Sequence, residues 1–160
     1  MQATRTTVVN DAARAMDALR RIVHALHSAN ARAQSNLRVT AAQLFVLRQI
    51  ALEPGISMTR LAQRTRSAPS SVSEVVSRLV GEGLVNRRVS VEDGRRAELT
   101  LSRAGAIIAR NAGETIQERL VAAYEELEAD DRAALAGLLE EWLAAAGLED
   151  GAATFFFTDG

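Results

Sequence analysis

Residues 55–105 read GISMTRLAQRTRSAPSSVSEVVSRLVGEGLVNRRVSVEDGRRAELTLSRAG. Turn residues divide this stretch into four pieces. Ser57 has the chemistry of an N-cap for a helix over about Met58–Thr65, with Leu61 and Ala62 on its inner face. Ser67, with Pro69 just inside, opens a second helix over about Ala68–Glu82. Its apolar stripe is Val72, Val75, Val76 and Leu79, and its polar face is Ser70, Ser71, Ser73, Glu74, Ser77 and Arg78. Gly81-Glu82-Gly83 ends that helix. Leu84–Ser90 and Arg96–Leu101 then read as two strands joined by turn residues Glu92-Asp93-Gly94. Two short helices followed by a hairpin are expected to form a helix-turn-helix with a wing. The second helix can enter a DNA major groove, and an arginine loop beside it can reach the minor groove or phosphates.

Outward from this stretch the chain is expected to be helical. Residues 10–35 carry Ala12, Met16, Leu19, Ile22, Val23, Leu26 and Ala29 at helical spacing, capped by Asn10 or Asp11. Thr40 caps a helix to Leu52 with Leu44, Val46, Leu47 and Ile50 inward, and Pro54-Gly55 ends it. After the hairpin, Ser102 or Thr100 starts one helix of about 25 residues, Arg103–Leu127. Asp130 caps a last helix over about 131–146, with Leu135, Leu138, Leu139, Trp142 and Leu143 on one face and Gly147 closing it. The expected fold class is mainly α with a small β-hairpin wing. Residues 40–102 form the winged helix-turn-helix lobe, residues 10–36 and 103–146 a helical dimerisation region, and residues 147–160 a C-terminal tail. The terminal helices are too apolar for one small lobe to cover. A second copy would bury Met16, Leu19, Leu135, Leu138, Leu139, Trp142 and Leu143. A two-fold dimer would set two recognition helices about 34–36 Å apart, the spacing of successive major grooves.

Composition narrows the function. The 160 residues are 48% hydrophobic, have no cysteine and carry a net charge of −1. That excludes a disulfide framework, a Cys-ligated zinc and a thiol sensor. The first residues lack the apolar core of a signal peptide, and no run reaches the roughly 20 apolar residues of a membrane helix. A cytoplasmic location without membrane contact is therefore expected. Residues 1–56 hold seven Arg and three acids, residues 57–103 nine Arg and five acids, and residues 104–160 three Arg and twelve acids. The basic charge thus sits on the first two thirds of the chain, including the helix-turn-helix and wing, where phosphates would be met. All 19 basic residues are arginine, which a high-GC genome explains, although the planar fork also suits guanine edges. No nucleophile elbow, phosphate-cradling glycine loop or HExxH occurs, so neither an enzyme nor a bound cofactor is expected.

The layout resembles the MarR family of bacterial transcriptional regulators (multiple antibiotic resistance regulators). The resemblance runs over roughly residues 10–146. It is carried by LAQRTRSAPSSVSEVVSRLVGEGLVNRR and by EDGRRAELTLSRAG. The family's Leu-x-x-x-Gly-Leu helix end is met by Leu79–Leu84, and its Asp-x-Arg wing followed by Leu-Thr by Asp93-Gly94-Arg95 and Leu99-Thr100. The resemblance implies a homodimer on a (pseudo)palindromic operator in double-stranded DNA. It also implies a repressor that a small molecule, an aromatic acid or a phenol, releases. Glu74 departs from the basic residue many members carry near this position, so the base preference of relatives does not transfer.

Each assignment has a plainer reading. Ser70, Ser71, Ser73, Glu74, Ser77 and Arg78 could be a solvated helix face, but the wing behind them favours DNA contact, with Arg78 the foremost base-edge or phosphate contact. Arg95 is the wing-tip residue with Arg96 beside it, and Asp93 orients the turn; the alternative is an ordinary Asp-Gly hairpin. Arg64, Arg66, Arg87 and Arg88 suit phosphates, although some must pair with nearby acids. His24 and His27 share a face of the first helix, but without further His or Cys ligands no metal site is expected. With Phe45 and Arg48 they could line an effector pocket, which in the family lies between the dimer region and the DNA-binding lobe, against the first two helices. Equally, the histidines could sit at the dimer seam with Arg48 solvated. Phe155, Phe156 and Phe157 are expected to fold back and be buried. The rival to a DNA-reading regulator is a winged-helix module that binds protein or ligand without specific DNA recognition, and a weaker third is an architectural DNA-binding protein.

Overall fold

The computed structural model describes residues 2–89 and 97–148. Its order is α1 (Gln2–Leu37), α2 (Ala41–Leu52), β1 (Ile56–Ser57), α3 (Met58–Thr65), α4 (Pro69–Gly81), β2 (Val85–Val89), β3 (Ala97–Leu101), α5 (Arg103–Asn111), α6 (Ile116–Glu125) and α7 (Ala129–Ala145). Helix α2 is the centre of the winged helix-turn-helix lobe. The Thr40 side chain accepts from the Gln43 N–H while the Gln43 side chain returns to the Thr40 N–H, so both ends of a capping box are closed. Nine of its twelve residues are buried, because α1, α3, α4, α5 and β3 all lean on it. Val46, Leu47 and Ile50 meet Leu61 of α3, Val72, Val75, Val76 and Leu79 of α4, and Leu99 of β3 in one core. Each of these side chains contributes about 1.5–3 kcal/mol by leaving water.

The wing is a three-stranded antiparallel sheet of order β1-β3-β2. Val85 pairs with Leu101 and Arg87 with Leu99, while Ile56 sits on the other edge opposite Leu99. The third strand, β1, is too short for any alternation of side chains to announce it. Gly83 carries φ +70, and Leu84 N–H returns to the Leu79 carbonyl at 2.9 Å. This left-handed glycine turns the chain from α4 into β2, as the Gly-Glu-Gly spacing suggested.

Four boundaries differ from the sequence expectation. Helix α1 begins at Gln2, eight residues before Asn10. Ser67 does not cap α4: Ala68 is the N-cap without a side-chain bond, and the Ser67 hydroxyl donates instead to the Thr65 carbonyl at 2.9 Å. Helix α7 starts at Ala129 after Glu128, not behind an Asp130 cap. The expected single helix over 103–127 is two helices. Gly113 lowers helix propensity, and Thr115 forms a second capping box with Glu118, which restarts the helix at Ile116.

Within one chain, Met16, Leu19, Leu135, Leu138, Leu139, Trp142 and Leu143 remain 40–65% exposed. No residue of α7 is buried. These apolar faces of α1 and α7 are therefore left uncovered among the described residues. Among the described residues no helix is long and apolar enough to cross a membrane.

Candidate nucleic-acid interface

Helix α4 is held from beneath by Val72, Val75, Val76 and Leu79. Ser70, Ser73, Glu74 and Ser77 consequently face outward, with Arg78 half-buried at the rim. Ser71 is a correction: at 7% exposure it belongs to the packed side, because its position one residue before Val72 turns it toward the core. The Ser77 hydroxyl donates back to the Ser73 carbonyl at 2.7 Å. Arg78 donates to Glu74 at 3.0 Å, one turn earlier. The acid on this face thus holds the arginine along the helix axis.

The other basic residues divide by partner. Arg66 stands at the α3–α4 turn with φ 50 and reaches Glu125 of α6 at 2.7 Å, both side chains more than half exposed. Arg64 is tied more deeply, with Nε to Gln49 Oε1 at 3.2 Å and Nη1 to Glu53 at 3.3 Å. Arg87 and Arg88 are exposed on β2. Asp93, Arg95 and Arg96 lie outside the described residues, as do Phe155, Phe156 and Phe157.

The four residues assigned to an effector pocket are not brought together. His24 and His27 line a shallow hollow along α1 with Leu19, Arg20 and Val23. Phe45 belongs to the core, and its edge, with Arg48, faces a separate groove between α2, α3 and α6. The reason is the phase of α1: Leu26 and Ala33 face inward and Asn30 Oδ1 accepts the Ala41 N–H at 2.9 Å, which leaves 24 and 27 on another side. Arg48 is only partly exposed and is already engaged. Its Nε donates to Glu118 at 2.9 and 2.7 Å and its Nη1 to the Ala112 carbonyl at 3.1 Å.

A different cavity, of about 420 Å³, lies where α1, α2 and the α5–α6 break meet. Ala29, Ala33, Leu37 and Leu44 form its apolar wall. Arg32 and Arg119 stand at it, and neither has a carboxylate within ion-pair distance among the described residues. Gln117 is 5% exposed, and neither atom of its enclosed amide has a hydrogen-bond partner among the described residues. Such a group costs about 1–3 kcal/mol and asks for a partner. This cavity was missed at the level of sequence because it depends on the helix break. The Gly113 and Thr115-x-x-Glu118 pattern was the available signal. Among the described residues no group of three metal-ligating side chains gathers.

Residues 39–97 match the MarR family model. The chain is 33% identical over 94 residues to an HTH-type transcriptional regulator of Mycobacterium leprae, covering 59% of this chain and 66% of that protein. It is 32% identical over 80 residues to an HTH-type transcriptional repressor of Mycobacterium tuberculosis, covering 50% and 58%. The chain thus spans less than two thirds of the length of these relatives. The fold is shared with a mutant MarR from E. coli complexed with operator DNA, at a TM-score of 0.58 and 24% identity over 84% of this chain and 96% of that one.

Proposed function

We propose that the chain, whose residues 39–97 match the MarR family model, is a MarR-family regulator: a homodimeric, sequence-specific DNA-binding transcriptional repressor of (pseudo)palindromic operators that a small molecule releases. The observation that carries the reading is α4 itself. A stripe of four buried residues fixes its back while short serines and Arg78 face outward, so the helix can sit deep in a major groove. Arg66, Arg87 and Arg88 flank it for phosphates. Repression is named for the Mycobacterium tuberculosis relative and operator binding for the E. coli protein; both come to this chain as part of the proposal. The dimer is supported by the uncovered apolar faces of α1 and α7.

The effector reading is supported by the cavity at the α5–α6 break in place of the histidine face. Its apolar wall, its two arginines and the unpartnered Gln117 amide suit a small aromatic acid.

A fluorescence-anisotropy titration with duplex DNA from upstream of the protein's own gene tests the proposal, using a scrambled duplex and two salt concentrations. Saturable binding of the native duplex alone is the expected result. Equal, salt-labile binding to both would indicate an architectural protein. One observation favours the module that does not read DNA: Arg64, Arg66 and Arg78 all engage acids of the same chain. Absence of binding to either duplex would make that module the function.

A further inference from the structure

The break between α5 and α6 is spanned by a single side chain of α2. Arg48 donates through Nη1 to the carbonyl of Ala112, the C-cap of α5, and through Nε to both oxygens of Glu118 in the first turn of α6. The same carboxylate accepts the Thr115 N–H at 2.8 Å and the Thr115 hydroxyl at 3.1 Å. It also accepts from Gln49 Nε2 at 3.3 Å, and Gln49 Oε1 in turn accepts Arg64 Nε of α3 at 3.2 Å. One carboxylate therefore joins the cap of α6 to α2 and, through Gln49, to the first helix of the helix-turn-helix. The pair is sheltered, with side chains 25% and 13% exposed. The second tie on this face, Glu125 to Arg66 two turns later, is 53% and 63% exposed. Water weakens the outer pair far more than the inner one.

We propose that Glu118 is a positioning residue: its junction with Arg48 and Gln49 latches the α5–α6 break and sets the orientation of the reading head against the arm formed by α6 and α7. The alternative supports are few. Helix α6 leans on α1 through its first turn and on the core through Val121, but residues 112–115 between α5 and α6 are non-helical, so the backbone alone does not fix the angle. Gln117, one residue before the latch, lines the cavity proposed for the effector. Consequences for DNA rest on the regulator reading above; the latch itself does not.

The chain's lack of cysteine permits a test by spin labels at Thr59→Cys on α3 and Ala123→Cys on α6, both exposed. Labelled protein diluted with unlabelled protein reports distances within one protomer. Glu118→Gln keeps a side chain that serves a capping box but removes the charge Arg48 meets. Arg48→Lys keeps the charge but loses the fork that reaches carbonyl and carboxylate together. Both variants are expected to retain wild-type helical circular dichroism while the distance distribution shifts or broadens beyond the wild-type width. Distributions superimposable on wild type in both would overturn the latch. Where wild type binds its operator, the variants should lose roughly two- to thirty-fold in operator affinity relative to scrambled DNA. A displaced distribution with unchanged affinity ratio would refute the link to DNA but leave the latch standing. Failure of wild type to bind any duplex would refute the regulator reading, and the distances would still judge the latch.

Discussion

In the proposed function, Arg78 is the residue on which the DNA-reading face turns. It is half-buried at the edge of α4 and engages Glu74 in a pair that solvent reaches. Its loss should therefore cost the fold little and the interface much. Arg78→Ala is expected to weaken operator binding by about 1–3 kcal/mol and to relax base preference at one position, with an unchanged melting temperature; competition titrations against single-base operator variants check it. Arg66 acts differently. Its pair with Glu125 is exposed and engages one guanidinium nitrogen, so the contribution proposed for it is an electrostatic, sequence-independent phosphate contact. In Arg66→Ala, the slope of log affinity against log salt should flatten by up to about one, equally for native and scrambled duplexes. The exposed serines and Arg78 were legible from the period of Val72, Val75, Val76 and Leu79. Ser71 was not, because a helix face has no sharp edge in a one-dimensional pattern. The partner of Arg48 was not legible for a related reason: a sequence shows a cation but not the acid 70 positions away that engages it.

Among the elements, those marked by local chemistry were readable. Thr40, Ser57 and the Gly81–Gly83 turn signal helix ends through bonds made within a few residues. The α5–α6 break was equally local, in Gly113 and the Thr115–Glu118 box, but the run of helix formers on either side obscured it. Strand β1 was beyond reach, since two residues have no period and Ile56 is held by Leu99, 43 positions on. The junction of α5 with the wing has a more demanding requirement. A Cβ at Gly105 would collide with the Leu84 carbonyl, the group that also accepts the Ser102 N–H at 3.0 Å. Backbone must move to admit a methyl there. Gly105→Ala is accordingly expected to destabilise by about 1–3 kcal/mol, read as a lower midpoint in chemical denaturation, despite alanine's better helix propensity.

At the scale of the whole molecule, the uneven burial is the informative feature. The head has a closed core around α2, whereas α7 has no buried residue and exposes Leu138 at 65% and Trp142 at 42%. The apolar spacing of both terminal helices was plain in the sequence and pointed to a second copy; which residues of a partner would meet them was not, because a partner surface leaves no mark on one chain's periodicity. We assign these faces to a second copy. Leu138→Glu places a charge where the single chain already meets water, so the protomer's own packing should survive. Sedimentation is expected to show a shift from dimer to monomer at micromolar concentration, with operator affinity falling alongside.

Selection of bound duplexes from a random library by the full chain, followed by footprinting of the winners, tests the central claim without assuming an operator. The account predicts enrichment of a two-fold symmetric motif, protected in two patches about one helical turn apart. Recovery of duplexes with no common sequence, or of none at all, would contradict it.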